Sequence, residues 1–355
     1  MRSKKEKVVC IRQPRMRWKA LFKGSVILCA LVFIILNFPS QRTSVPTKFG
    51  VTFSPWQATS FGLDWKETYT ALLDDLGVRL FRLSAYWDMI EVKDNEFTFE
   101  DLDYQLDEAA KRGAKVILAV GRKLPRWPEC HDPKWIQGMS RPGIERESLE
   151  QVRQVVLRYR NHPAVARWQV ENELFFPFGI CPNFLGIDSL KREVALVRSL
   201  DSRPIVVTDA GEWTAWLPAA LYGDVLGSSL YREAWNDYIG HVPFPITPGY
   251  YQLKNNLIVK PLGKQIIFTE LQAEPWGPKG VQEMTNREML EYMPIKKIQN
   301  NISFARAVGF DEVYMWGGEW WYALKKRGDA SVWGALKHVY SPEYTISPTQ
   351  SNKIE

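Results

Sequence analysis

Histidine is scarce in this chain. Only His131, His162, His241 and His338 occur among 355 residues, and none stands at a metal-ligand spacing from another. Cysteine is equally scarce, with Cys10, Cys29, Cys130 and Cys181 and no CxxC pair. Neither a structural nor a catalytic zinc site is expected from such a set, and no cofactor is called for. No GxGxxG follows the first apolar run, where the chain reads SPWQATSFG. That speaks against a dinucleotide crevice at the edge of an open sheet. A basic excess is missing from the bulk as well. The net charge is +6, but the first 23 residues hold nine Lys/Arg against the single Glu6, so the +8 of the tail leaves −2 for everything after it. Nucleic acid is therefore not an expected partner.

Charge is also absent from residues 24 to 36, within FKGSVILCALVFIILNF. The span is short against the ~20 residues of a membrane-crossing helix, and its flanks extend it. Nine basic residues before it predict a cytoplasmic N-terminus, with the rest of the chain extracytoplasmic. No small-x-small cleavage site follows, so a signal anchor over 24–38 is the reading, with a cleaved secretory signal as the alternative. The expected organisation is a basic tail (1–23), the anchor (24–38), a Pro/Ser/Thr-rich linker (39–47), a catalytic domain (48–345) and a short C-terminal tail (346–355). Beyond the anchor, Cys130 and Cys181 both sit in loop-like sequence. In an oxidising compartment they either pair or stay as free thiols. Asn301-Ile302-Ser303 is a glycosylation sequon, meaningful only in a eukaryotic host.

From residue 48 onward a rhythm is present. Short apolar or β-branched runs begin at residues 48, 78, 114, 166, 204, 224, 264 and 311, and amphipathic stretches separate them. In EDLDYQLDEAAKRG, Leu102, Leu106, Ala109 and Ala110 share a face. Gly77, Gly113, Gly263 and Gly309 each stand where a helix should stop before the next strand. Eight strand–helix repeats predict an α/β fold of the (β/α)8 TIM-barrel type, preceded by the N-terminal membrane helix, with an open doubly wound sheet as the rival.

Chemistry in such barrels sits at the C-terminal ends of the strands. The fourth run ends in Glu171-Asn172-Glu173 and the seventh in Glu270. Arg82 ends the second, Tyr231 follows the sixth, and tryptophans such as Trp87, Trp127 and Trp316 lie at or just past other exits. Fifteen tryptophans are far above ordinary usage, and flat aromatic faces suit sugar rings. Two carboxyls across a cleft, one protonated and one ionised, are the minimum machinery for glycoside hydrolysis. Arg82 and Tyr231 are suited to holding one of them as an anion. Strand alternation places Glu171 and Glu173 on one side, so Glu171 stays a rival for the acid role.

This pattern resembles the clan A glycoside hydrolases, retaining (β/α)8 enzymes. WQVENE is similar to the fourth-strand signature, IIFTELQAEPWG to the seventh, and MWGGEWW to the eighth-strand tryptophan platform. The stretch from Arg82 to Gly121 is similar to families 5 and 42 and their relatives. The resemblance implies Glu173 as general acid/base and Glu270 as nucleophile. It implies Asn172 on the 2-hydroxyl, Arg82 and Tyr231 around the nucleophile, and Trp316 under the attacked sugar. It implies a carbohydrate substrate and no cofactor. The histidines that family 5 members carry near the third and sixth strand ends are replaced here by Gly121-Arg122 and Ser229. A carbohydrate-binding pseudoenzyme and a transglycosylase using the same residues are the competing functions. A metal-dependent sugar isomerase would need His ligands at strand exits, and none stands there.

Overall fold

Each of the eight runs forms a strand. The strands in chain order are β1 (Lys48–Thr52), β2 (Leu80–Ser84), β3 (Lys115–Val120), β4 (Val165–Val170), β5 (Ile205–Asp209), β6 (Val225–Leu230), β7 (Glu233–Asn236), β8 (Gly240–Pro243), β9 (Gln265–Gln272) and β10 (Glu312–Trp316). β7 and β8 are an antiparallel hairpin outside the barrel. The other eight close in the order β1-β10-β9-β6-β5-β4-β3-β2, every pair parallel. This computed structural model describes residues 31–41 and 46–341.

Closure follows from composition. β3 reads KVILAV and is buried from Val116 to Val120. A strand covered on both faces is what a parallel barrel requires. Helices wrap the outside through the faces that their periodicity marks. In Glu100–Lys111 the buried residues are Leu102, Gln105, Leu106 and Ala109, close to the expected set. Gly77, Gly113, Gly263 and Gly309 all have positive φ, the left-handed turn that ends a helix at little steric cost.

Inside the barrel, Ile117, Val206, Val225, Ile267 and Tyr314 form an apolar plug. Gly50 makes room for it, since a Cβ there would lie 2.8 Å from the Tyr314 ring. Arg82 is fully buried in the same strand system. It stands two residues after Leu80, which packs on the plug, so its guanidinium rises towards the C-terminal rim.

The β7–β8 hairpin and the extension of β9 through Gln272 lie beyond the eight apolar runs. The sequon residue Asn301 is buried, and its amide donates to the Gln272 carbonyl at 2.8 Å, so in the fold it is a core hydrogen-bonding residue.

Residues 24–30 of the expected anchor lie outside the described residues. Of its described part, 31–38, residues 31–36 are helical, with Leu31, Val32, Phe33, Ile34 and Ile35 exposed. Among the described residues no helix is long and apolar enough to cross a membrane. The end of this segment and the residues after it dock on the barrel: Thr247 N–H donates to the Leu36 carbonyl at 3.0 Å, and Gln41 N–H donates to Gln252 Oε1 at 2.7 Å.

Candidate active site

Arg82 organises the C-terminal mouth. Its Nε donates to Gln169 Oε1, its Nη1 to Glu270 Oε1 and its Nη2 to Asn172 Oδ1, each at 2.7 Å. One rigid guanidinium thus ties β2, β4, β9 and the turn after β4 together, which a lysine's point charge cannot do. Tyr231, one residue past β6, donates its hydroxyl to Glu270 Oε2 at 2.8 Å. Both oxygens of Glu270 therefore accept from donors suited to a carboxylate. Trp276 stacks on Tyr231 with centroids 4.5 Å apart and steadies its ring.

Glu173 has the opposite surroundings. Its Oε1 is buried without a hydrogen-bond partner. Burial and the negative charge of Glu270 push its carboxyl well above the usual range, with the Ser229 hydroxyl opposing. Its backbone N–H is held by Thr208 Oγ1 at 2.9 Å. Thr208 also donates to Asn172 Oδ1 at 3.2 Å. Among described residues, the expected pair Glu173 and Glu270 therefore meets at one mouth together with Arg82, Asn172 and Tyr231.

Alternation fails at the end of β4. Glu171 and Glu173 have φ of 59° and 43°, left-handed values that few side chains adopt. The backbone leaves the pleat, and Glu171 turns away from Glu173. Its two oxygens accept from the N–H groups of Arg122 (2.7 Å) and Lys123 (2.8 Å). Glu193 faces it; burial and the Glu171 charge raise the Glu193 carboxyl well above its ordinary value, so it can supply the shared proton. Glu171 is thus a structural anchor of the turn, and not a rival of Glu173 in the cleft.

The tryptophans divide. Trp316 is 7% exposed, donates Nε1–H to Glu274 Oε1 at 3.2 Å, and has the Arg126 guanidinium 3.9 Å from its ring centroid. One face of the expected sugar platform is therefore taken by Arg126. Trp127 is half exposed and meets Phe178 edge-on at 5.9 Å on the rim. Trp87 corrects the expectation of a binding surface. It is fully buried, packs with Ile136, Ile144 and Leu185, and donates to Glu91 Oε2 at 2.6 Å. A four-residue helix, Trp87–Ile90, turns it into the core.

Several residues at the mouth were invisible from strand exits alone. Lys123 is buried and donates Nζ–H to the carbonyls of Asn172 (3.0 Å) and Glu173 (3.1 Å). Arg126 bridges Glu274 and Glu319. Glu129 accepts from Asn172 Nδ2 at 3.1 Å. All three lie on the loop after β3, which a Cys130–Cys181 disulfide ties to the loop after β4. Loop sequence carries no periodicity, and no signal in it pointed inward. Among the described residues no group of three or more His, Cys, Asp or Glu could hold a metal ion.

Residues 54–183 match the family Glyco_hydro_42, described as beta-galactosidase. No curated protein matches the chain. Among solved structures, a beta-galactosidase from the psychrophilic Marinomonas ef1 aligns at 18% identity and TM-score 0.53, over 76% of this chain and 54% of its own. A beta-galactosidase from the Antarctic haloarchaeon Halorubrum lacusprofundi aligns at 16% and 0.52, over 76% and 52%. An exo-beta-1,4-mannosidase from Opitutaceae bacterium strain TAV5 aligns at 13% and 0.55, over 78% and 53%. The chain spans about half the length of these three proteins. These findings bear out the resemblance to clan A glycoside hydrolases and the barrel they share.

Proposed function

We propose that this chain is a retaining β-glycoside hydrolase. The observation that carries the reading is the contrast between two carboxyls at one barrel mouth. Glu270 accepts from a guanidinium and a phenol. Glu173 keeps a buried, unpartnered oxygen beside it. Opposed environments of this kind divide acid from nucleophile. Glu270 attacks the anomeric carbon while Glu173 gives its proton to the leaving glycosidic oxygen, leaving a glycosyl ester on Glu270. Glu173, now a carboxylate, takes a proton from water as that water's oxygen attacks the same carbon and releases Glu270. The match to a family described as beta-galactosidase supports the same reaction class.

The substrate is read as an extracytoplasmic oligo- or polysaccharide, with the barrel tethered through residues 24–38. The basic N-terminal tail and the Cys130–Cys181 disulfide support an oxidising compartment beyond a membrane. Alkaline carbonate extraction of membranes, followed by protease treatment of sealed vesicles, tests the tether. Release of the intact chain by carbonate would refute it.

The catalytic test uses detergent-solubilised full chain on aryl β-glycosides. Glu270→Gln should abolish turnover. Glu173→Gln should lose about 10²–10⁴-fold on poor leaving groups and far less on nitrophenyl glycosides, which leave without a proton. Wild-type rates in Glu270→Gln would refute the assignment. Binding without turnover in wild-type protein would indicate a lectin-like pseudoenzyme.

A further inference from the structure

Half of the barrel mouth is apolar where it meets solvent. β4, β5 and β6 are neighbours in the barrel, so the loops that follow them share one side of the rim. The first exposes Phe178 and Ile180, and the second exposes Trp213 and Leu217. The tip of the β7–β8 hairpin, which follows β6, exposes Tyr238 and Ile239 at 95% and 74%. Charge is missing from all three stretches: residues 174–187, 213–223 and 238–253 hold no Asp, Glu, Lys or Arg. Across the mouth, among the described residues, the loops after β1 and β2 expose Trp56 and Val92 singly, and those after β9 and β10 expose no large apolar side chain. Single exposed apolar residues are ordinary, whereas a charge-free apolar sector marks a contact surface.

The tips are held outwards. Asn236 Oδ1 accepts from the N–H groups of Tyr238 at 3.0 Å and Ile239 at 3.2 Å, which fixes the hairpin turn. Trp235 meets His241 edge-on across the hairpin with centroids 5.0 Å apart. The Cys130–Cys181 disulfide pins the loop after β4. Sugar stacking does not account for the patch. Trp127 and Phe178 meet at 65° and Trp213 and Phe244 at 88°, so neither pair offers one continuous flat face. Ile180, Leu217 and Ile239 have no ring to stack.

The chain itself indicates what covers this side. Residues 36–41 pack against the helix Pro248–Lys254, which starts at the mouth just after the hairpin. Thr247 Oγ1 donates to the Phe38 carbonyl at 2.7 Å, and Gly249 leaves no room there for a Cβ. Tyr250 of the same helix donates to the carbonyl of Glu212, next to Trp213, at 3.4 Å. The helical residues 31–36, with their exposed apolar side chains, therefore leave the barrel beside the apolar half of the rim. They belong to the run 24–38 read as a membrane anchor. An anchor attached there sets this rim against the bilayer that holds it. Trp and Tyr suit the headgroup level of such a surface, and aliphatic side chains suit the acyl boundary beneath it.

We propose that the rim formed by the loops after β4, β5 and β6 docks on a lipid bilayer, so that the mouth opens at headgroup level and takes a glycan borne by a membrane lipid. The docking rests on the tether proposed above, and the substrate class rests on the glycosidase reading.

The test takes the full chain with Cys10→Ser and Cys29→Ser, reconstituted into phosphatidylcholine vesicles. A thiol-reactive NBD fluorophore is placed at Ile239→Cys, at Ile180→Cys or, across the mouth, at Val92→Cys, and melting curves confirm folding. Doxyl-labelled phosphatidylcholine should quench the fluorophore at 239 and 180 and leave it bright at 92. Water-like emission at all three positions, in protein that floats with the vesicles, overturns the docking and leaves the tether standing. Protein that does not float with the vesicles overturns both. Shielding at 239 by a second copy or by β-linked oligosaccharides, without quenching by lipid, also overturns the docking. Activity tests the substrate class. Tyr238→Ser/Ile239→Ser should match wild type on a soluble aryl β-glycoside and lose about ten-fold on the same sugar β-linked to diacylglycerol in vesicles. A wild-type rate on both overturns that class. If wild type hydrolyses neither, the hydrolase reading fails, and the quenching alone decides the docking.

Discussion

Arg82 Nη1 lies 2.7 Å from Glu270 Oε1, with both side chains buried at the top of a closed barrel. Breaking a buried pair leaves one charge unpaired. Arg82→Ala should cost about 3–5 kcal/mol of stability and remove turnover. Arg82→Lys should fold better and still lose most of kcat/KM, because an ammonium cannot serve Glu270, Asn172 and Gln169 at once. Denaturant titration with kinetics of both variants checks this. A Lys variant with wild-type kcat/KM would contradict it.

Glu173 is raised by burial and by Glu270. As the general acid it must hold its proton. The kcat/KM profile should therefore fall as pH rises through the raised pKa, at higher pH than an ordinary carboxyl would set. Removing the Glu270 charge moves that value down. In Glu270→Gln the Glu173 ionisation, followed by carboxyl infrared or NMR shifts, should come at lower pH than in wild type. A titration at unchanged or higher pH would remove the electrostatic account of the pair.

Buried acids also set how stability depends on pH. Burial lifts Glu129 and Glu212 from 4.5 to about 7. Between those values the folded chain holds protons that the unfolded chain has released. The stability is thus complete below about 4.5 and is lost as pH rises through about 7, at roughly 1.4 kcal/mol per pH unit for each fully buried group. Tm should fall from pH 5 to pH 8. Glu212→Gln should flatten the slope. A Tm that rises over this interval would contradict the assignment.

Gly121, just past β3, has φ of 118°, and a Cβ there would lie 2.5 Å from Glu171 Oε1. Gly121→Ala should therefore displace Glu171 from the N–H groups of Arg122 and Lys123 and loosen the turn that carries Glu173. Stability should drop by more than about 1 kcal/mol, and kcat should fall with it. Normal kcat in a folded variant would show that Glu171 does not position the acid.

Cys130 and Cys181, 51 residues apart, link the loop bearing Glu129 to the loop after the acid. The Cys130→Ser/Cys181→Ser double variant should lose about 2–4 kcal/mol. Its kcat/KM should fall more than a uniformly destabilised control at equal fraction folded. Equal losses would leave the bridge a stability device alone.

Local chemistry determined the barrel and the strand ends that bear the candidate carboxyls, while the preference for Glu173 over Glu171 came from the resemblance of WQVENE to a known fourth-strand signature. Apolar runs of strand length, the helical face of Leu102, Leu106 and Ala109, and glycines at helix ends are nearest-neighbour signals, and each strand formed where its run stood. Glu173, Glu270, Arg82, Asn172 and Tyr231 were legible because barrel closure brings every strand exit to one rim. Tertiary structure decided what depends on backbone direction after the strand. Positive φ at residues 171 and 173 parted two glutamates that alternation had paired. A one-turn helix carried Trp87 into the core. Arg126 and Glu129 reached the mouth from a loop whose conformation is set by long-range contacts and a disulfide, and neither leaves a periodic trace in sequence.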